Sequence, residues 1–199
     1  MEKIMEKITK FEANIEGAAP LLMNKLDRDL NLEFKEVARD KRDEWLDANW
    51  ERKLYTKVID GKKQIIFPED VVHSFLWNAA MKYRVPPPRE VGRTWTAYFK
   101  AGVIIDEPAV LECSKPVPFC TMVNGNPSSA KKSSKVYSVR PMINEWKTTL
   151  KFSDMGERLD RKTIESILVA GGLFVGLGDW RPQRGRFKLR DLKMETIQV

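Results

Sequence analysis

Gly176, Gly178, Trp180, Arg181, Arg184, Gly185 and Arg186 crowd into one stretch near the C-terminus. That mixture suits the holding of phosphate. Glycine accepts positive φ without steric cost and lets a backbone approach a partner closely. Successive exposed amides in such a turn form an anion-binding concavity. Arginine adds a planar, permanently charged fork that fits phosphate oxygens, and Trp180 offers a flat face on which a base can stack. The plainer account of the same residues is a helix C-cap with a solvated basic strand behind it, on which Lys188 continues the charge.

Other side chains can join that chemistry. Asn24 and Lys25 follow an apolar run after the first strand and either contact a phosphate or sugar or make an ordinary turn. Arg93 lies in a polar-aromatic segment with Trp95 and Tyr98, which forms part of a groove or simply packs. Lys131, Lys132, Lys135 and Arg140 share a serine-rich stretch without an intervening acid. Such a stretch either follows a phosphate chain without reading bases or is an ordinary flexible loop. His73 is the chain's one histidine, off the main apolar stripe of its helix.

Composition narrows the partners. The 199 residues carry a formal charge of +7 and a pI near 9.4, which favours a polyanion. Two cysteines, Cys113 and Cys120, with one distant histidine exclude a structural zinc site, so no metal and no cofactor are expected. No phosphate-binding P-loop or nucleophile elbow is present. No apolar run approaches a membrane span, and the N-terminus carries acids and no apolar core, unlike a signal peptide, so the cytoplasm is the expected location.

The elements that must position these groups are legible in outline. Alternation over residues 5–16 predicts a strand with one buried face. The charge-dense segment 27–53 predicts one or two helices, and 57–67 a hairpin turning at Asp60-Gly61. Pro68-Glu-Asp opens a helix running to about Arg84. Val103–Ile105 and Val110–Leu111 form a second strand interrupted near Pro108, and 114–142 is an extended excursion. Residues 145–152 are a strand, Asp160 begins the last helix, and 186–190 closes the set as a strand. With insertions set aside, the order is that of a ferredoxin-like βαββαβ fold, also RRM-like, of the α+β class. The sheet of such a fold can leave one face for RNA.

At this point the chain resembles a known family. The run Gly176-Leu-Gly-Asp-Trp-Arg-Pro-Gln-Arg-Gly-Arg-Phe187 is similar to the glycine-rich loop of the RAMP superfamily of CRISPR-associated proteins, and the helix introduced by Ile66-Phe67-Pro68 to its first helix. Within that superfamily the match is to the Cas-seven-like backbone subunit, including single-domain relatives in phage genomes. Asp179, Trp180 and Pro182 depart from the family's more basic or glycine-like loop.

The resemblance implies one domain over 1–199 with a helical and hairpin insertion at about 26–67 and a thumb at about 114–142. It implies a non-catalytic, RNA-binding subunit in a prokaryotic cytoplasm. That subunit oligomerises along a guide RNA and presents bases for pairing with a target DNA or RNA. Gly176, Gly178, Arg181, Arg184 and Arg186 would then form the phosphate loop, with Asn24 and Lys25 facing it. Two alternatives stand beside this: a RAMP-type endoribonuclease that processes guide RNA with His73, and a non-specific single-strand-binding protein.

Overall fold

The computed structural model describes residues 7–83, 87, 94–124 and 135–198. Strand β1 spans Lys7–Gly17, and its alternation turns Phe11, Ala13 and Ile15 inward. The short β2, Leu21–Leu22, follows. Asp27 caps α1, Arg28–Glu36, by accepting from Leu30 N at 3.0 Å. Helix α2 is Arg42–Asn49. Strands β3, Thr56–Ile59, and β4, Lys62–Phe67, are joined by Asp60 and Gly61, both at positive φ, as the predicted hairpin requires.

Helix α3, Glu69–Lys82, starts behind Pro68 and buries Val72, Phe75, Leu76, Ala79 and Ala80. Helix α4, Trp95–Gly102, was not anticipated. Its aromatic residues obscure the helical period, but Thr94 caps it and Trp95 and Phe99 anchor it. Strands β5, Val103–Ile105, and β6, Ala109–Cys113, are two pieces of one interrupted path, as expected around Pro108.

The excursion at 114–142 is a correction. Its described residues are not loose chain but two paired strands, β7, Val117–Asn124, and β8, Lys135–Ile143. The alternation of Phe119, Thr121 and Val123 was hidden by Pro116 and Pro118, and Pro141 sits opposite Pro118 in the ladder. Strand β9 is Trp146–Asp154, and Asp160 caps α5, Arg161–Phe174, through Thr163 N. Strand β10, Phe187–Gln198, runs well past residue 190. Its second half is polar and exposed, so only its register with β1 reveals it.

The main sheet is antiparallel and mixed with helices, the expected α+β class. Its order is β10–β1–β9–β6–β4–β3, with β5 also on β9. A second sheet orders β2–β8–β7. Helices α3 and α5 pack on each other and over one face of the main sheet, where Phe11 stacks on Phe152 at 5.2 Å and Phe75 meets Phe187 edge-on at 5.3 Å. Fully buried Phe11, Phe75, Phe99 and Phe152 each contribute roughly 1.5–3 kcal/mol of burial.

A buried carboxylate ties the far end of the sheet to α5. Asp154 is 0% exposed. It accepts from the Tyr98 hydroxyl, and from Gly156 N, Arg158 N and Leu159 N at 3.0, 2.8 and 2.9 Å. Burial and that bond push the Tyr98 phenol well above its ordinary range.

Candidate nucleic-acid interface

The glycine-rich loop leaves α5 and folds back against the segment after β1. Gly176 N donates to Gly171 O, Leu177 N to Gly185 O, Asp179 N to Leu22 O and Gly185 N to Pro20 O, all within 2.8–2.9 Å. Arg184 N reaches Trp180 O at 3.1 Å, and Trp180 N reaches Asp179 Oδ1 at 3.0 Å. These amides are spent inside the chain, which corrects the expected anion nest. Gly178 is required because a Cβ there would lie 2.3 Å from Leu22 O. The close approach predicted at the glycines is real, but the partner is the chain's own backbone.

The loop is fastened to the root of the β7–β8 hairpin by alternating aromatic and cationic groups. Arg140 lies over the Trp180 ring at 5.1 Å, Arg184 lies over Phe119 at 5.3 Å, and the two rings meet edge to face at 5.6 Å. Arg140 also donates from Nε to Asp179 at 2.6 Å and from its guanidinium to Ser138 Oγ at 2.9 Å. Asp179 and Trp180, the departures from the family loop, therefore neutralise and stack on Arg140. Trp180 and Arg140 hold the hairpin in place instead of offering a platform and a phosphate fork. Phe119 was missed, since one aromatic between Pro118 and Cys120 carries no pattern. Lys53 donates to Val139 O at 2.7 Å beneath this cluster. Burial, reinforced by the nearby Arg140 charge, pulls its ammonium below the usual lysine range, and Asp179 opposes that shift.

Two clefts meet at Gly178 and Asp179. One, of about 260 Å3, is lined by Met23, Asn24, Leu26, Tyr55 and Val71. The other, of about 520 Å3, lies between the last turns of α3 and α5 and the loop residues Trp180, Arg181 and Pro182. The structure thus brings exposed Asn24 and exposed Arg181 to the two clefts that share Gly178 and Asp179. Lys25 stands near by but pairs with Asp27 at 3.3 Å. Accepting from Leu30 N and from Lys25 keeps the Asp27 carboxyl below its ordinary value. Among the described residues, no carboxylate pairs with Arg181, Arg184 or Arg186.

The remaining candidates scatter. Lys135 donates to Asn124 Oδ1 at 2.8 Å near the far end of the hairpin. Lys188 lies on β10 opposite Glu16, away from the loop's clefts. Arg93, Lys131 and Lys132 fall outside the described residues. His73 is half-buried, and its Nε2 donates to Phe99 O at 3.0 Å, joining α3 to α4. Among the described residues no cluster of side chains suits a metal ion, and no helix is long and apolar enough to cross a membrane.

Among the described residues, the sheet face turned away from the helices carries no aromatic platform for a base. Its β1, β9 and β10 positions carry Lys10, Glu12, Glu16, Lys147, Lys151, Lys188 and Lys193, with no aromatic among them. Acids and bases alternate there in pairs: Glu112–Lys147 at 2.8 Å, Glu107–Lys151 at 2.9 Å and Glu16–Arg190 at 2.6 Å. Exposed pairs of this kind add little stability, but they leave the face nearly neutral.

Comparison with solved structures gives this fold a place. A chain in the cryo-EM structure of the Type III-B Cmr-beta bound to cognate target RNA superposes with a TM-score of 0.58 at 15% identity, over 96% of this chain. The chain shares the fold of that Cmr-beta chain. It spans 61% of the length of that Cmr-beta chain. Cmr6 from Pyrococcus furiosus aligns over 92% of this chain and 99% of its own at 8% identity, with a TM-score of 0.48, too weak to add to the first. No family model and no curated protein matches the sequence.

Proposed function

We propose that this RAMP-fold chain binds single-stranded RNA through its sugar-phosphate backbone beside the glycine loop. It acts as a non-catalytic subunit that assembles in copies along a guide RNA and leaves bases to pair with a target strand. The observation that carries the reading is Arg181, exposed on the larger of the loop's two clefts, with Arg184 and Arg186 in the same loop segment and no carboxylate pairing with any of the three among the described residues. The likeness to a chain of Cmr-beta, a structure bound to target RNA, supports it. So does the net charge of +7.

On this reading the chain is one domain with a ferredoxin-like core. Its parts are β1, α3, the β5–β6 path, β9, α5 and β10, and the neighbours β10–β1–β9–β6 are the order such a core takes. The segments at about 26–67 and 114–142 are insertions, the second a thumb. The nuclease alternative is disfavoured by His73, whose Nε2 is committed to the Phe99 carbonyl. The chain purified from its host is expected to carry RNA of recurring length and sequence. Random lengths would favour a general coat protein, and recovery without nucleic acid would overturn the reading.

A further inference from the structure

The cleft between α3 and α5 is chemically unlike a phosphate site. It lies at the last turns of both helices, where the backbone carbonyls give a partial negative charge. That end of a helix repels phosphate and attracts hydrogen-bond donors. The side chains agree. Asn78 spends its Nδ2 on Ser74 O at 2.7 Å, which leaves its Oδ1 as an acceptor. Asp179 also lines the cleft, but its carboxylate is taken by Arg140 and Trp180 N, so Asn78 and the helix-end carbonyls supply the acceptors.

The walls are apolar and uncovered. Phe174 is 62% exposed and Met81 is 53% exposed, and Pro182 closes a third side. Unlike Trp180, over which Arg140 sits, Phe174 has no aromatic or cationic partner among the described residues. The cations Arg181 and Lys82 belong to the same cleft. The loop that shapes it is held in a costly conformation. Trp180 adopts φ +55°, which a bulky residue keeps only when its surroundings enforce it.

We infer that this cleft holds one nucleobase of the bound strand, an amino-bearing base in preference to uracil. The base would lie against Phe174 and Met81, turn its amino edge to the acceptors at the helix ends, and leave its phosphate with Arg181. The inference rests on the strand-binding reading and adds a base-selective site to it. The volume of about 520 Å3 leaves ample room for one base.

The test measures fluorescence anisotropy of the full chain with labelled oligo(A), oligo(U) and an abasic ribose-phosphate strand, each of about a dozen nucleotides, at one salt concentration. A stacked base is worth roughly 1–3 kcal/mol, so oligo(A) should bind at least about 5-fold tighter than the abasic strand. Oligo(U) should fall between them. Phe174→Ala alters an exposed side chain, so it should fold normally. It should lose most of the oligo(A) advantage and leave abasic binding unchanged. Equal binding of oligo(A) and the abasic strand by the wild type, or an unaltered oligo(A) affinity in Phe174→Ala, would overturn this inference alone. Failure of the wild type to bind any strand would defeat the strand-binding reading as well.

Discussion

Gly185→Ala is expected to cost about 3 kcal/mol or more of stability, a large share of what a single domain possesses. Gly185 sits at φ +70°, and a Cβ there would fall 1.7 Å from Leu177 O. The obstacle is backbone, not the movable end of a side chain. Leu177 is fully buried and its own amide donates to Gly185 O, while Gly185 N donates to Pro20 O. Relief would require opening both bonds and withdrawing the loop from β2. Urea unfolding with a fitted midpoint measures the loss. A loss under about 1 kcal/mol would mean that the loop yields more easily than its bonding implies.

Asp154→Ala is expected to cost about 3–5 kcal/mol, in the range for breaking a buried hydrogen-bonded network. The carboxylate is the acceptor for Tyr98 and for Gly156 N, Arg158 N and Leu159 N. Alanine would strand three amides and a hydroxyl, and the turn that leads into α5 would lose its anchor. Asp154→Asn should do part of the damage, because an amide keeps one oxygen acceptor but places donors against N–H groups. Thermal unfolding of the two variants should rank wild type above Asn above Ala. Equal stability of wild type and Asp154→Ala would show that water replaces the carboxylate at no cost.

The sequence disclosed those elements whose pattern is local. Period-two alternation located β1 and β9, Asp60-Gly61 located the hairpin, and Pro68 and Asp160 marked helix starts. Helix α4 escaped because Trp95, Tyr98 and Phe99 suit a strand as well as a helix. Strands β7 and β8 escaped because prolines interrupt an otherwise regular alternation. The outer half of β10 escaped because it buries only Leu192 and depends on long-range pairing with β1.

The site was legible in composition and not in geometry. Glycine and arginine singled out the loop that packs on the β7–β8 hairpin. Which arginines face outward depended on Phe119 and Asp179, distant or unpatterned residues that capture Arg184 and Arg140. The cleft at Phe174 depended on two helix ends meeting, which no spacing in the chain reveals.

The salt dependence of RNA affinity tests the central claim most directly. Arg181 and Arg186 are exposed, so their removal should spare the fold, whereas Arg184 also packs on Phe119. For an unstructured RNA, the logarithm of the affinity should fall linearly with the logarithm of salt concentration. The Arg181→Ala/Arg186→Ala double variant should show a slope shallower by roughly 1.4, with weaker binding across all sequences. A double variant with the wild-type slope and affinity would contradict the account.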